Sequence, residues 1–512
     1  MSVYHKPAAA PCPVTADVLA TQARQRFEQI LAFCQQREYA FAKFEKCLFA
    51  LLAVLGRLLV RLYLTARHER LALEPYLQDG HYRRGNAAAP RTLKTAYGAV
   101  SYRRAQLIRR RGGAGFYPLD AVLGLTRDKL SPWMIQFLGR LATRMSFAAA
   151  RLICQAALRW SPATETIEQV VLGLGRQATP FMQQLAAPPH EGEVLVIEVD
   201  GKCPPTATAA ELSKRRGRRR QRASCGCGCQ RHRGRAKRRT RGSKKRRKKG
   251  DHSKNGKEVV LVVMYTLRRG DDGRLHGPLN KKVWASFAGR KAAARWARAE
   301  ATKRGFGPGT TKTVQIVLDG ALGLRDNLEP LFPEAIYTID VCHVVEKLWT
   351  VGHHFHKEAS AELKEWVEEL KALVYAGQVM KLVERLQRML RAVPKNGPGT
   401  KGRRQALVAL IGYLQRRLGM MRYGDWLEQD LVIATGQVEG AVRHLVGERF
   451  DCAGMRWTPA KAEPLLHLRC IELNGDWQKF VAWFQGKTLS SLKPGQPIKL
   501  LTNQPSTLTE AA

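Results

Sequence analysis

One segment near the middle of this chain limits what it can fold into. From Lys214 to Lys257, 44 residues hold 22 Lys or Arg and one acid, Asp251, for a net +21. Large apolar side chains are almost absent there, so the segment cannot build a core of its own. Charge of one sign at this density repels itself unless a polyanion neutralises it. The expectation is an extended arm that orders on a phosphate backbone, with a solvated linker as the plainer alternative. Its densest runs supply the candidate DNA contacts: Lys214, Arg215, Arg216, Arg218, Arg219 and Arg220, then Lys244, Lys245, Arg246, Arg247, Lys248 and Lys249.

The flanks have ordinary globular composition, 45% apolar and 25% charged, enough for about three domains in 512 residues at roughly 150 residues each. The chain carries a formal +43, of which +22 lies outside the arm, so a polyanionic partner is implied. A membrane surface fits poorly. The most apolar stretch, Cys47–Thr65, is broken by Arg57 and Arg61, whereas a bilayer span takes about 20 nearly uninterrupted apolar residues. A buried helix is expected there. The N-terminus lacks the apolar core of a signal peptide. Eleven cysteines without an export signal suggest reduced thiols in a cytoplasm. A nucleic-acid binder without a membrane partner remains.

Before the arm, residues ~15–75 read as helix, with Leu51, Leu55, Leu58 and Leu59 at helical spacing. Arg91–Arg110 reads as a β-hairpin with Gly98 at its turn and Arg103 and Arg104 on a strand. Phe147–Leu158 and Thr164–Leu174 are helical, separated by Ser161-Pro162, with Thr164 as the N-cap of the second. This is the outline of a helix-turn-helix between about 146 and 176, although two packed helices of any bundle share it.

After residue 190 the pattern turns to strands. Gly192–Gly201, Lys257–Arg269, Lys281–Gly289, Thr311–Ala321 and Glu334–His343 are strands, with a helix over Arg290–Gly305. A helical stretch from Val344 to Leu427 follows, interrupted by the loop PKNGPGTKG, then a final helix over Gln429–Phe450 that carries Glu439. Three meandering strands followed by alternating helix and strand is the order of an RNase H-like fold. In that fold metal-binding acids come from strand one, strand four and a later helix.

Asp200, Asp319 and Glu439 occupy those slots. The two aspartates each end an apolar strand and precede glycine. Each Asp-Gly alone is explained as the start of a turn. Two carboxylates brought together would repel unless a cation lay between them, and an open set of oxygen ligands suits Mg²⁺. Two such ions about 4 Å apart can activate a hydroxyl and stabilise the leaving oxygen at a phosphodiester.

Two segments carry a resemblance to a known family. LDGALGLRDNLEPLFPEAIYTIDVCHVVEKLW (Leu318–Trp349) looks like the second-acid region of Mutator-like DDE transposases. TGQVEGAVRHLVGERFDCAGMRWTPAKAEPLLHLR (Thr435–Arg469) looks like the third-acid helix of the Kra-type bacterial insertion sequences. The upstream YGAVSYRR and FYPLDAVLGL resemble the N-terminal region of the same group. The matches touch most of the chain from about residue 90 to 470.

The resemblance implies a transposase. Asp200, Asp319 and Glu439 would be its catalytic and metal-binding triad, with Mg²⁺ or Mn²⁺ as cofactor. It further implies double-stranded DNA, transposon ends and target, as partner, a homodimer or larger assembly on DNA, and a cytoplasmic, nucleoid-associated location. The implied domains are a helical region (1–85), a hairpin and helix-turn-helix (86–186) and the first part of an RNase H-like core (187–350, with the arm at 212–257). An all-α insertion (351–429), the last core helices (430–485) and a flexible tail (486–512) follow. One departure matters. The family usually has Cys-x-x-His after the second acid, and here Asp340 stands in the Cys position ahead of His343, making Asp340 a competing metal ligand. His343 and Arg443 are accessory candidates, the former equally explained by a structural hydrogen bond. Arg449, like Arg443, is read as reaching DNA or the edge of the active site, with surface solvation as the alternative, and Arg456 with Trp457 divides between packing a C-terminal helix and stacking on an unpaired base. Cys225, Cys227, Cys229 and His232 offer four soft ligands, though zinc sites more often pair cysteines at wider spacing, and free thiols are the alternative. Two rival functions share these residues: a structure-selective nuclease, and a non-catalytic DNA-binding regulator derived from a transposase.

Overall fold

A computed structural model describes residues 14–35, 39–78, 80–110, 115–210, 212–213, 257–452 and 455–492. The candidate DNA contacts between Lys214 and Lys249, and the candidate zinc ligands Cys225, Cys227, Cys229 and His232, lie outside the described residues. The protein mixes helices with sheet and divides into two compact units, residues 1–171 with 478–512, and residues 172–477.

In the first unit, α1 (Ala16–Gln35) runs against α2 (Phe41–Glu69), burying Leu19, Ala23 and Ile30. After α3 (Glu74–Leu77), strand β1 (Tyr82–Arg84) pairs with β4 (Leu107–Arg109), and β2 (Ala89–Thr95) with β3 (Gly98–Arg104). The expected hairpin is therefore present, but it ends at Arg104, and the residues beyond it join a second ladder. Alternation along β2 and β3 turns Leu93, Val100 and Tyr102 inward, where they meet Leu64 of α2 and Leu119 and Leu125. Gly56 lets α2 approach closely, because a Cβ there would lie 2.4 Å from the Tyr97 ring. Short α4 (Pro118–Val122) precedes α5 (Pro132–Arg144) and α6 (Phe147–Leu158). Ser131 and Ser146 cap α5 and α6, their hydroxyls accepting from the Met134 and Ala149 N–H groups. Arg159, with φ of 60°, ends α6, and α7 (Thr164–Gln184) begins after the Ser161-Pro162 break.

Helix α2 corrects one expectation. Gly56 and Leu64 are its buried residues, whereas Phe41, Phe49, Leu52, Leu59 and Tyr63 are exposed. These five lie along one side at helical spacing, and Gly56, four residues from Leu52 and three from Leu59, interrupts that side where Tyr97 packs against it. The helix is amphipathic toward a thin partner and is not buried all round. By length and composition it is long and apolar enough to cross a membrane. Arg57 donates to the Tyr97 carbonyl at 3.1 Å and so ties the packed face to the hairpin.

The second unit is built on a five-stranded mixed sheet. Its strands are β5 (Val194–Lys202), β6 (Val259–Arg269), β7 (Leu275–Ser286), β8 (Thr313–Leu318) and β9 (Ile336–Ile339), in the order β7-β6-β5-β8-β9. The first three form an antiparallel meander, and β8 and β9 run parallel to β5. Apolar runs such as VLVIEV and VVLVVMY suit strands covered on both faces. Parallel pairing requires crossovers, supplied by α8 (Arg290–Lys303) before β8 and α9 (Leu322–Leu328) before β9. Helix α8 sets Ala293, Ala294, Ala297 and Ala301 against the sheet, and Lys282 of β7 reaches its Glu300 at 2.8 Å.

Only helices and turns lie between β9 and the last part of this unit among the described residues: α10 (Val341–Gly352), α11 (Ala361–Tyr375), α12 (Val379–Ala392), α13 (Thr400–Gln415) and α14 (Tyr423–Glu428). Next come α15 (Gly436–Val442), a π turn (Arg443–Gly447), α16 (Glu448–Phe450) and α17 (Pro459–Leu473), while α18 (Trp477–Leu492) belongs, from Gln478 on, to the first unit. The helix expected from Gln429 starts seven residues later, at Gly436. Asp430 takes φ of 55°, which stops the preceding helix, and the Gln315 side chain pairs with both backbone groups of Val432, at 2.6 and 3.0 Å. That satisfied backbone holds the approach to α15 extended.

Candidate acidic site

Strand register brings the two aspartates together. Val199 pairs with Leu318 across the parallel strands β5 and β8, so Asp200 and Asp319, one residue further on, leave side by side at the C-terminal end of the sheet. Each carboxylate also shapes its own turn. Asp200 Oδ1 accepts from the Gly201 N–H at 2.6 Å, and Asp319 Oδ1 from the Ala321 N–H at 2.8 Å. Turn formation and clustering therefore coexist. Gly320 has φ of +85°, and a Cβ there would meet the Tyr413 hydroxyl at 2.4 Å. The backbone after Asp319 is thus wedged under α13, and Arg417 fixes it by donating to the Gly320 carbonyl at 2.8 Å.

Glu439 arrives from the other side of the chain, and a buried acid positions it. Glu198 sits two residues before Asp200 on β5 and therefore on the same face of the sheet. It is fully buried, accepts from the Tyr265 hydroxyl at 2.7 Å and accepts from the Val438 N–H at 2.8 Å. That second bond pins the first turn of α15, with Glu439 on the next residue, over the face that carries Asp200. Burial pushes the Glu198 carboxyl up to about 7, against those two donors and the charge of Lys281.

The convergence shows in Asp200. Burial raises its carboxyl above the ordinary range; the Gly201 N–H and His343 oppose this, and the negative charges of Asp319 and Glu439 add to it. Three acids thus act on one region of space. A tighter group lies beside them: one ligating atom each from Asp340, His343 and Glu439 fall within 4.8 Å of one another. Glu439 belongs to both neighbourhoods, whereas Asp200 and Asp319 are outside the tighter one.

Asp340 is fully buried at the N-cap of α10 and already well supplied with donors. Its carboxylate accepts from the Cys342 N–H at 2.8 Å, from His343 Nδ1 at 3.1 Å and from the Thr435 hydroxyl. Burial alone would raise its carboxyl, but these donors outweigh burial and hold it below the ordinary value. His343 is raised in turn, first by its hydrogen bond to Asp340, with burial opposing and the charges of Asp340, Glu346 and Asp319 adding. Asp340 and His343 form a clamp between α10 and the segment before α15. The pair places the His343 imidazole beside the acids.

Arg443 is exposed on the π turn. Arg449 is 1% exposed, with its guanidinium 4.9 Å from the Trp457 ring centroid, so the reading of it as a surface or DNA-reaching side chain is corrected to one of internal packing. Glu198, Tyr265, Thr435 and Tyr413 were not singled out from the sequence. For Glu198 a signal existed, an acid at i−2 from Asp200 inside an otherwise apolar strand.

The donors fit a hard divalent cation. Asp200, Asp319 and Glu439 offer carboxylate oxygens only, and mutually repelling acids in a partly desolvated site are stabilised by a positive ion. The Asp340–His343–Glu439 group offers a mixed oxygen and nitrogen set, which suits Mn²⁺ or Zn²⁺ better than Mg²⁺.

No protein-family model matches the chain, and no curated protein matches it. Among solved structures, the chain overlaps the Drosophila P element transposase strand transfer complex with a TM-score of 0.31 and 12% identity, covering 69% of this chain and 94% of that one. At that score and identity the overlap defines no common fold.

Proposed function

We propose that this protein is a DDE-type DNA transposase of a bacterial insertion sequence, related to the Kra-type and Mutator-like enzymes, with an RNase H-like core in its second unit. The observation that carries the reading is the meeting of Asp200 and Asp319 at the ends of adjacent parallel strands, with Glu439 held over the same sheet face by Glu198. The sheet order β7-β6-β5-β8-β9 and the motif resemblance around Asp319 and Glu439 support it. In this reading Asp200, Asp319 and Glu439 hold Mg²⁺ or Mn²⁺. The ions would supply an activated oxygen nucleophile and charge stabilisation at the scissile phosphate.

The chain's own residues set the rest. Glu198 and the Asp340–His343 clamp fix the approach of α15. His343, shifted toward its charged form by its hydrogen bond to Asp340, is an accessory contact to the scissile phosphate. Arg443, exposed one turn beyond Glu439, is a DNA contact. The basic arm and the first unit, with a helix-turn-helix over α6 and the start of α7, bind terminal repeats and target, and the assembly on DNA is a dimer or larger. The protein works in the cytoplasm, associated with the nucleoid. Zinc on Cys225, Cys227, Cys229 and His232 belongs to the same proposal.

A second reading has its own observation, the closer approach of Asp340, His343 and Glu439. There Asp340 replaces Asp319 as a ligand. One experiment separates the two. Cleavage and strand transfer on a labelled duplex carrying the element's terminal repeat are measured with Mg²⁺ or with EDTA for the wild type and for Asp200→Ala, Asp319→Ala, Asp340→Ala and Glu439→Ala. Metal-dependent nicking lost in all but Asp340→Ala supports the triad. Nicking that survives Asp319→Ala but not Asp340→Ala supports the second set. DNA binding without nicking, the same in every variant, overturns the enzyme reading in favour of a regulator.

A further inference from the structure

The first unit contains a cavity of about 900 Å³ over the β2–β3 hairpin, remote in sequence from the acidic residues of the second unit. Arg91, Lys94, Arg104, Arg127 and Lys129 line it, against Asp120 and Asp128, so cations outnumber acids by three. At its floor the imbalance is buried. Asp120 is a single carboxylate shared by two arginines: Arg91 Nη1 lies 2.7 Å from its Oδ2, and Arg104 Nη1 contacts the same oxygen. The Tyr102 hydroxyl takes its other oxygen at 3.0 Å.

Arg91 donates from Nη2 to the Thr126 and Asp128 carbonyls at 2.5 and 2.8 Å, while its buried Nη1 has only the ion pair with Asp120. Arg104 is less well supplied. Its side chain is 12% exposed and its guanidinium lies 3.7 Å from the Tyr117 ring centroid, and its buried Nε–H has no acceptor. Burial and the neighbouring charge of Arg91 both weigh against the charged form of Arg104. A buried arginine with an unused donor and one carboxylate too few calls for an external anion.

We propose that this cavity binds a phosphate group of a DNA strand, with Arg104 as its deep contact and Arg127 and Lys129 as cations at its mouth. The shape and chemistry agree. A guanidinium matches phosphate oxygens through paired N–H donors, and the volume exceeds what a bare phosphate needs. Phe116 and Tyr117 add ring surface to the wall, which suits an adjoining nucleoside. The site deepens the DNA reading above and rests on it, but it involves none of the acids that the cleavage reading needs.

The test uses the full chain and reads binding, not cutting. Fluorescence anisotropy would follow a labelled duplex and a labelled single strand from 50 to 200 mM salt, for wild type, for the Arg127→Gln/Lys129→Gln double variant and for Arg104→Gln. Arg127 and Lys129 are exposed, so their replacement leaves the buried cluster intact if Arg104→Gln fails to fold. Each lost phosphate contact should lower the slope of log K against log salt by about 0.7–0.9, so the double variant should lose between one and two units of slope. Inorganic phosphate should compete with the wild type and compete less with the variants. Phosphate competition with an unchanged DNA slope would assign the pocket to a small phosphate compound and overturn the DNA assignment. An unchanged slope without phosphate competition would overturn the site altogether. Either result is separable from failure of the cleavage reading, because the assay reads binding alone and none of its variants touches the acids.

Discussion

The Glu198 carboxylate and the Val438 backbone N–H meet at 2.8 Å, across 240 positions of sequence and in a fully buried setting. This bond joins the first strand of the sheet to the helix that carries Glu439, so an acid that is not itself a ligand candidate governs where one of the candidates sits. Glu198→Ala removes the acceptor for both Val438 and Tyr265. The expected loss of stability is about 1–3 kcal/mol for each buried group left unpaired. Urea unfolding would read the loss. A parallel cleavage assay should show activity falling further than the folded fraction does, because Glu439 is no longer held.

Asp200 experiences repulsion from Asp319 and Glu439, which a bound cation would relieve. In EDTA, Asp200→Asn should unfold at a temperature higher than the wild type by about 1–3 °C, since it removes one of the like charges. Adding Mg²⁺ or Mn²⁺ should raise the wild-type midpoint and leave that of Asp200→Asn nearly unmoved. A wild type insensitive to both ions in differential scanning calorimetry would count against a divalent site at these acids.

Gly320 is required for two reasons at once, its φ of +85° and the nearness of the Tyr413 hydroxyl. Gly320→Ala should therefore destabilise the second unit by at least about 1 kcal/mol, the cost of a left-handed conformation for a residue with a Cβ, plus the displacement of α13. Combining it with Tyr413→Phe should recover only the steric part. A double-mutant cycle in urea measures that difference.

Acid should act through Glu463. It accepts from the Phe287 N–H at 2.7 Å and from the Ser286 hydroxyl, and it pairs with His467 at 3.2 Å. Burial pushes its carboxyl up, but His467 and these donors outweigh burial and hold it below the ordinary value of 4.5. A carboxylate lowered in the folded state binds its proton more readily when unfolded. Its stabilisation is complete above about pH 4.5 and is lost as pH falls through the folded value. Glu463→Gln should flatten this acid-side slope in unfolding measurements between pH 5 and pH 3.

The two faces of α2 should respond oppositely to substitution. Leu64→Ala, on the face packed against the hairpin, should cost about 2–5 kcal/mol. Leu52→Glu, on the exposed stripe, should change the stability of the monomer by less than about 0.5 kcal/mol. Thermal melts compared at several protein concentrations would separate the two.

Local pattern revealed much of this fold because local physics sets it. Alternation and apolar runs located β5, β6, β8 and β9, and Gly98 marked the turn of the hairpin. The Asp-Gly strand ends pointed to Asp200 and Asp319, whose adjacency depends on a parallel register that no single segment encodes. Other features were beyond local reading. The start of α15 depends on Gln315, more than a hundred residues upstream, which occupies the backbone of Val432. Arg449 reads as a surface cation until Trp457 folds over it. The exposure of α2 is equally non-local, because apolar periodicity reports a face that can be buried without reporting how much partner is available to bury it.

Lys202 and Val259 form the last rung of the β5–β6 ladder, and the Lys257 N–H donates to the Thr206 hydroxyl at 2.9 Å just beyond it. The chain between them thus leaves and re-enters the sheet through one narrow neck, two residues past Asp200. Whatever sequence joins these two ends, the Lys202–Val259 rung and the Thr206–Lys257 bond close the ladder beside Asp200, so the register that aligns the acids is set by residues flanking the arm.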